Sequence, residues 1–424
     1  MNFYRKIIQT SLFKITSLNS FSVVLKIGIG LITSKILAIF VGPSGMALVG
    51  NLRNFLTSLE NISTLGFQNG IVKYAAENEK NKDELQKIIS TVFISLLFIG
   101  VLLSGILFFT ASFWNEKIFG DNTEYLLIFK VLAFVLPTYG LSVFLIAAIN
   151  GLGKFQKVIW INIIGNIIGL ITSVFLILQF ETTGALLAII IAPSLLFFLT
   201  FYLVQKEIQF LQLIKFNSFD FKIVKNLSSY SLMALVSSVL GPFIFLAIRN
   251  HIIQDLGIEK AGYWETMTRI SSYYLLFVST ILSVYFLPRL SKSQNNLETK
   301  IVFWQYYKFI LPVFVLGLTV LYFVRFFVVQ LLFTKEFLPV TDLFFWQLLG
   351  DIFKVCALIL GFQFFAKKMT SAFIISELFS LSVLYFASLY CIKLFQIEGV
   401  VMAYAFQNFV YLTVLAIYFK KSLF

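Results

Sequence analysis

Apolar residues come in blocks of about twenty along the whole chain, each long enough to cross a hydrocarbon core as a helix, with short polar stretches between them. The blocks predict about twelve spans, near residues 18–40, 46–74, 88–113, 125–149, 158–179, 184–204, 228–253, 262–287, 309–333, 340–365, 372–392 and 398–419. No polar stretch is long enough for a separate soluble domain. The fold class that follows is an all-α integral membrane protein.

The two halves of the chain repeat. A shift of 215 pairs Gly42 with Gly257, Phe180 with Phe395, Gly184 with Gly399 and Ala188 with Ala403, and the last three form one shared pattern, F-x3-G-x3-A. Six spans per half make both halves run the same way, so the expected architecture is two pseudo-symmetric six-helix lobes, residues 1–205 and 228–424. Residues 206–227 would join them as an amphipathic stretch on the inner membrane surface.

Composition supports this reading. Of 424 residues 59% are hydrophobic and 12% charged, and the mean hydropathy is +0.91. Basic residues alternate along the loops. One set holds Arg5, Lys6 and Lys14, then Lys80, Lys82 and Lys87, Lys154 and Lys157, and similar groups through to Lys420 and Lys421; the other holds only Lys117, Lys260, Lys335 and Lys393. Basic loops stay on the cytoplasmic side, which predicts a multi-pass protein with both termini cytoplasmic. The N-terminus is basic and amphipathic, without the run and cleavage site of a signal peptide, so no removal is expected. Cys356 and Cys391 fall inside apolar runs and imply neither a disulfide framework nor a metal cluster.

Charge inside the spans changes the picture. Lys26, Lys35, Arg53, Lys73, Lys130, Arg249, Arg269, Lys308, Arg325 and Lys354 stand there against Glu60, Glu265, Asp351 and Glu377. A charge at the bilayer centre costs about 2.5–3.5 kcal/mol, so each needs a partner or a water-filled cavity. Helical spacing offers partners: Arg53 with Glu60, Glu265 with Arg269, and Asp351 with Lys354. Lys26 and Lys35 lack a local acid and lie on opposite sides of their helix. Lys35 is placed either to snorkel or to face a cavity, whereas Lys26 shares its face with Gly30 and Thr33, which suits a cavity lining. Lys73, Lys130, Lys308 and Arg325 are near enough to span ends to snorkel. The bases exceed the acids, which predicts a central cationic cavity.

Several chemistries are missing. The chain has no G-x4-G-K-[ST] loop, and its one histidine, His251, has no metal-ligand or triad companion. No cofactor, metal, catalytic residue or nucleic-acid partner is implied, and the 51 Phe residues suit lipid and helix packing.

From Lys26 the segment "KIGIGLITSKILAIFVGPSGMALVGNLRNFL" resembles the first hairpin of the O-antigen flippases and the lipid III flippases of enterobacterial common antigen, within the MATE-like superfamily. "NGIVKYAAE" at Asn69, "SLMALVSSVLGPFIFLAIRN" at Ser231, "AGYWE" at Ala261, "SVYFLPRLS" at Ser283 and "FWQLLGDIFKV" at Phe345 extend the likeness over nearly the whole chain. The resemblance implies a non-enzymatic transporter of the bacterial inner membrane, carrying an undecaprenyl-pyrophosphate-linked oligosaccharide from the cytoplasmic to the periplasmic leaflet by alternating access. A polysaccharide polymerase and a chain-length regulator are the implied partners. It marks Lys26, Lys35, Arg53, Lys73, Arg249, Asp351 and Lys354 as site candidates, to which charge adds Arg269, with Glu60, Glu265 and Asp351 for pairing or ion coupling. Glu60 and Arg269 stand where the resemblance leads one to expect small residues, and Ser272 where it leads one to expect an acid. The competing readings are a MATE-like exporter, a flippase for another polyprenyl-linked precursor, a membrane glycan ligase or polymerase, and a non-transporting scaffold. A cation exporter would want acids where this chain has bases.

Overall fold

The computed structural model describes residues 11–120 and 122–423, without the side chains of 11–16, 229, 230, 232–234 and 237. Arg5 and Lys6 lie outside the described residues. Those residues are helical throughout, joined by turns. Eight helices among them are long and apolar enough to cross a membrane. Gly42–Ser63 is long enough but more polar, carrying Arg53 and Glu60, and is not among them.

Two of the eight, Phe155–Ile208 and Thr370–Tyr418, are far longer than a bilayer needs, at 54 and 49 residues. Each folds back on itself at one residue. Glu181 (φ 46, ψ −119) and Gln396 (φ 53, ψ −133) leave helical geometry. Just beyond each, a glycine meets backbone eight residues earlier, which a straight helix would hold about 12 Å away. A Cβ at Gly184 would overlap the Leu176 carbonyl, and one at Gly399 the Cys391 carbonyl. All three pairs of positions, 181 and 396, 184 and 399, 176 and 391, keep the 215 register. Gly42 and Gly257 (φ 66 and 92) keep it too, as do Gly153 and Lys368 (φ 72 and 56). The repeat in sequence is therefore a repeat in backbone conformation.

Two expected elements differ. The span near 46–74 ends at Ser63, turns through Thr64–Phe67 and resumes as the helix Gln68–Glu77. The Ser63 and Thr64 hydroxyls bond back to the carbonyls of Glu60 (2.8 Å) and Asn61 (3.0 Å), competing with the helix ladder, and Leu65 and Gly66 take positive φ. In the second repeat the stretch matching Thr64–Phe67 stays helical to Ile281, and a π-helical turn, Leu282–Phe286, begins at the position that matches Phe67. Residues 206–227 do not form one continuous helix. The helix ends at Gln209 (φ 49), and short turns at Phe210–Leu213 and Phe216–Ser218 follow. Ser90 donates to the Leu213 carbonyl (2.9 Å) and accepts from the Lys215 amide (3.0 Å), while Thr91 accepts from the Asp220 amide (3.0 Å). Phe210 and Leu227 are buried in the core with Ile88, Val92 and Phe144.

The chain divides into two compact units: Met1–Phe40 with Asn51–Pro242, and Val41–Gly50 with Phe243–Phe424. The boundary thus falls inside the Phe221–Leu256 helix, and a ten-residue piece of the first repeat belongs to the second unit. That piece packs closely there: a Cβ on Gly262 would overlap the Pro43 carbonyl. In the same unit Phe344–Ala366 packs on Thr370–Tyr418 through Gly350, where a Cβ would lie 2.6 Å from the Tyr404 ring. Tyr306 and Tyr307 donate to the carbonyls of Val355 (3.0 Å) and Cys356 (2.9 Å).

Candidate functional site: two buried charge clusters in the second unit

Arg249, on Phe221–Leu256, is fully buried, and Glu265 and Arg269, one turn apart on Ile258–Ile281, are each 4% exposed. One carboxylate serves both arginines. Its Oε2 accepts from Arg249 Nη2 at 2.7 Å and its Oε1 from Arg269 Nη2 at 3.5 Å. The Arg249 guanidinium also lies 5.2 Å from the Trp264 ring, which stacks on Phe245 at 5.4 Å. The cluster is sited by a residue with no side chain. A Cβ on Gly50 would overlap the Glu265 carboxylate and lie 2.9 Å from Arg249 Cζ. Two guanidiniums share one carboxylate away from water, and guanidiniums are donors that also suit phosphate oxygens.

Asp351 is the second cluster. It is 0% exposed and sits in a cage of donors: Ser271 (2.8 Å), Tyr404 (2.8 Å), Tyr274, and the Gln347 amide one turn back (3.3 Å). Lys354 is not its ion-pair partner. That ammonium lies 5.6 Å from the Tyr404 ring and makes no ion pair with Asp351 among the described residues. Hydroxyls and an amide therefore take the place that helical spacing gives to Lys354.

Most of the other candidates belong to the first unit. Lys26 is exposed and Lys35 half-buried, both on Ser11–Phe40. Arg53 is half-buried and Glu60 exposed on Gly42–Ser63. Lys73 is on the surface of Gln68–Glu77, 3.7 Å from Glu77. Arg325 stacks on Tyr322 at 4.2 Å and donates to its carbonyl. Gly50, Trp264, Ser271, Tyr274, Gln347 and Tyr404 are members that sequence reasoning misses. Gln347 and Asp351 at i,i+4, and Ser271 and Tyr274 at i,i+3, are the signals that could have found part of the cage.

A multi-pass helical protein of two repeated halves, burying charge between its helices, has the fold of the MATE-type transporters. A multidrug resistance MATE family transporter of the MOP superfamily, solved in an inward-facing conformation, superposes with TM-score 0.80 over 94% of each chain at 12% identity. The lipid II flippase MurJ, in an inward closed conformation, superposes with TM-score 0.70 over 96% of this chain and 87% of its own, at 15% identity. Residues 12–294 match the polysaccharide biosynthesis protein family, and the chain belongs to it. The lipid III flippase of Escherichia coli (strain K12) is 28% identical over 402 residues, 95% of this chain and 96% of that protein.

Proposed function

We propose that the chain is a flippase that moves a polyprenyl-diphosphate-linked oligosaccharide from the cytoplasmic to the periplasmic leaflet of a bacterial inner membrane. The observation that carries this reading is the buried Arg249–Glu265–Arg269 cluster, two guanidiniums on one carboxylate, where an exporter of cations would need acids. Guanidinium pairs are suited to phosphate oxygens, which they grip with two donors each. The likeness to the lipid III flippase over nearly the whole chain supports the same substrate class. In this reading Arg249 and Arg269 bind the diphosphate, helped by Lys26, Lys35, Arg53 and Lys354. The sugars cross in water and the tail stays in lipid. Both termini are cytoplasmic, and a polymerase and a chain-length regulator are the candidate partners.

The test is flipping by the purified protein in proteoliposomes, with a potassium–valinomycin potential imposed in each direction. A diphosphate carries about two negative charges, each worth about 2.3 kcal/mol per 100 mV, so a potential positive on the receiving side favours transfer by roughly 4–5 kcal/mol per 100 mV. The expected result is protein-dependent flipping whose final leaflet ratio follows the potential. Flipping no faster than in protein-free vesicles overturns the function; flipping indifferent to the potential overturns uncompensated movement of the diphosphate.

A further inference from the structure

We propose that one end of the second unit, built from residues 289–302, 364–372 and 417–423, is a docking surface for anionic phospholipid head groups. Three contacts gather these stretches into one place. Lys367 donates to the Ser293 carbonyl, Trp304 Nε1 to the Leu423 carbonyl (2.9 Å), and Ser422 to Asn296 Oδ1 (2.7 Å). Phe419, buried, packs on both Phe303 and Phe364 at the same joint. The end so formed holds seven bases and one acidic side chain, Glu298. Glu298 is committed to its own turn: its oxygens accept from the Gln294 amide (2.7 Å) and the Asn295 side chain (3.0 Å). Lys292, Lys420 and Lys421 are exposed and make no ion pair among the described residues.

The repeat makes this excess informative. The first-repeat stretches in the 215 register, 74–87, 149–157 and 202–208, hold six bases and five acids. Bases there find acids nearby: Lys87 pairs with Glu84 (2.7 Å), and Glu207 takes both Lys154 (3.1 Å) and Lys157. Two of the five acids, Glu77 and Glu207, are matched in the second repeat by Lys292 and Ser422. The same helix ends therefore form with nearly balanced charge, so the excess is not a requirement of the fold. A second observation gives the depth. Tyr285, Trp304 and Tyr418 are exposed within the cluster, and amphipathic rings of this kind belong at the level of lipid head groups. The Tyr285 ring lies 4.8 Å from the Arg289 guanidinium and its hydroxyl accepts from Arg289 Nη1 at 2.8 Å, so base and ring share one level. Bases held there meet the phosphodiesters of the bilayer before they meet a soluble acidic protein. In the orientation proposed above the leaflet is the cytoplasmic one.

The test is native mass spectrometry of the purified full-length protein, delipidated and then titrated with phosphatidylglycerol or phosphatidylcholine. Two variants remove three charges each. One carries Lys292→Gln, Lys420→Gln and Lys421→Gln; the other, in the first unit, carries Lys154→Gln, Lys157→Gln and Lys206→Gln. The expected result is that wild type binds phosphatidylglycerol more tightly than phosphatidylcholine, and that raised ionic strength weakens the preference. The second-unit variant should lose about fivefold in phosphatidylglycerol binding per lysine removed, with phosphatidylcholine binding unchanged. The first-unit variant should keep the wild-type preference. All six lysines are exposed, so both variants should fold; if the second-unit triple does not, Lys292→Gln alone decides. Equal binding of the two lipids by wild type overturns the docking surface, as does a second-unit variant that keeps the preference or a first-unit variant that loses as much. A soluble acidic partner then becomes the occupant to seek. Each of these outcomes leaves the flippase reading intact, because that reading stands on Arg249 and Arg269.

Discussion

Asp351 takes hydrogen bonds from Ser271, Tyr274, Gln347 and Tyr404, residues of three helices, so its carboxylate ties those helices together. Replacing it by Asn exchanges one acceptor oxygen for a donor that faces hydroxyl donors. The expected cost is about 1.5–3 kcal/mol, the range for hydrogen bonds to a charged group, read as a lower melting temperature in detergent. Adding Lys354→Gln should not restore stability, because Lys354 rests against the Tyr404 ring and makes no ion pair with the acid among the described residues. A double variant as stable as wild type would reinstate the ion pair. At this scale the sequence is readable only in part. Spacing along one helix is visible, so Glu265 and Arg269 can be matched at i,i+4, but Arg249 and Gly50 reach the same carboxylate from other helices, and no periodicity reports that. The i,i+3 spacing of Asp351 and Lys354 has the same weakness. It shows that two side chains share a face and is blind to donors arriving from elsewhere.

The two hairpin helices give the sharpest contrast between permitted and forbidden side chains. At Glu181 and Gln396 an L-residue adopts a conformation suited to glycine, and three residues later a glycine sits where no side chain fits. Substitutions of opposite kind should therefore act in opposite directions within one turn. Gln396→Gly relieves about 1 kcal/mol or more of backbone strain, less the entropy a glycine loses on folding, and is expected to be neutral or stabilising. Gly399→Ala drives a methyl into the Cys391 carbonyl and is expected to lower the melting temperature clearly, as should Gly184→Ala against Leu176. Equal effects from Gln396→Gly and Gly399→Ala would refute the hairpin geometry. These turns are legible in advance because F-x3-G-x3-A is a local pattern that recurs at one register. The break at Thr64–Phe67 is not, since the apolar run continues through it and hydrophobicity outweighs a Ser-Thr-Leu-Gly sequence in any window. The path of the backbone through residues 206–227 is hidden for a related reason. Its alternating Phe and Leu residues fit an amphipathic helix, and only the bonds to Ser90 and Thr91 show how the backbone is pinned.

For the whole molecule, the orientation we propose from the alternation of basic loops can be checked directly. In a protein lacking Cys356 and Cys391, single cysteines at the exposed positions Glu79 and Gln294 should be shielded from an impermeant thiol reagent in intact cells, and one at Glu124 should react. The reverse pattern would invert the topology. The two-unit division also has a consequence for synthesis. Val41–Gly50 emerges from the ribosome early, but it is completed by Gly262, Glu265 and Arg249, which come some two hundred residues later. At translation rates of roughly 5–20 residues per second, the segment waits about ten seconds or more for those neighbours. During that time the first half can collapse around its own core, while residues 41–50 must remain uncommitted in the lipid. The nascent chain therefore folds in an order different from its sequence, and Val41–Gly50 is the last part of the early half to find its place.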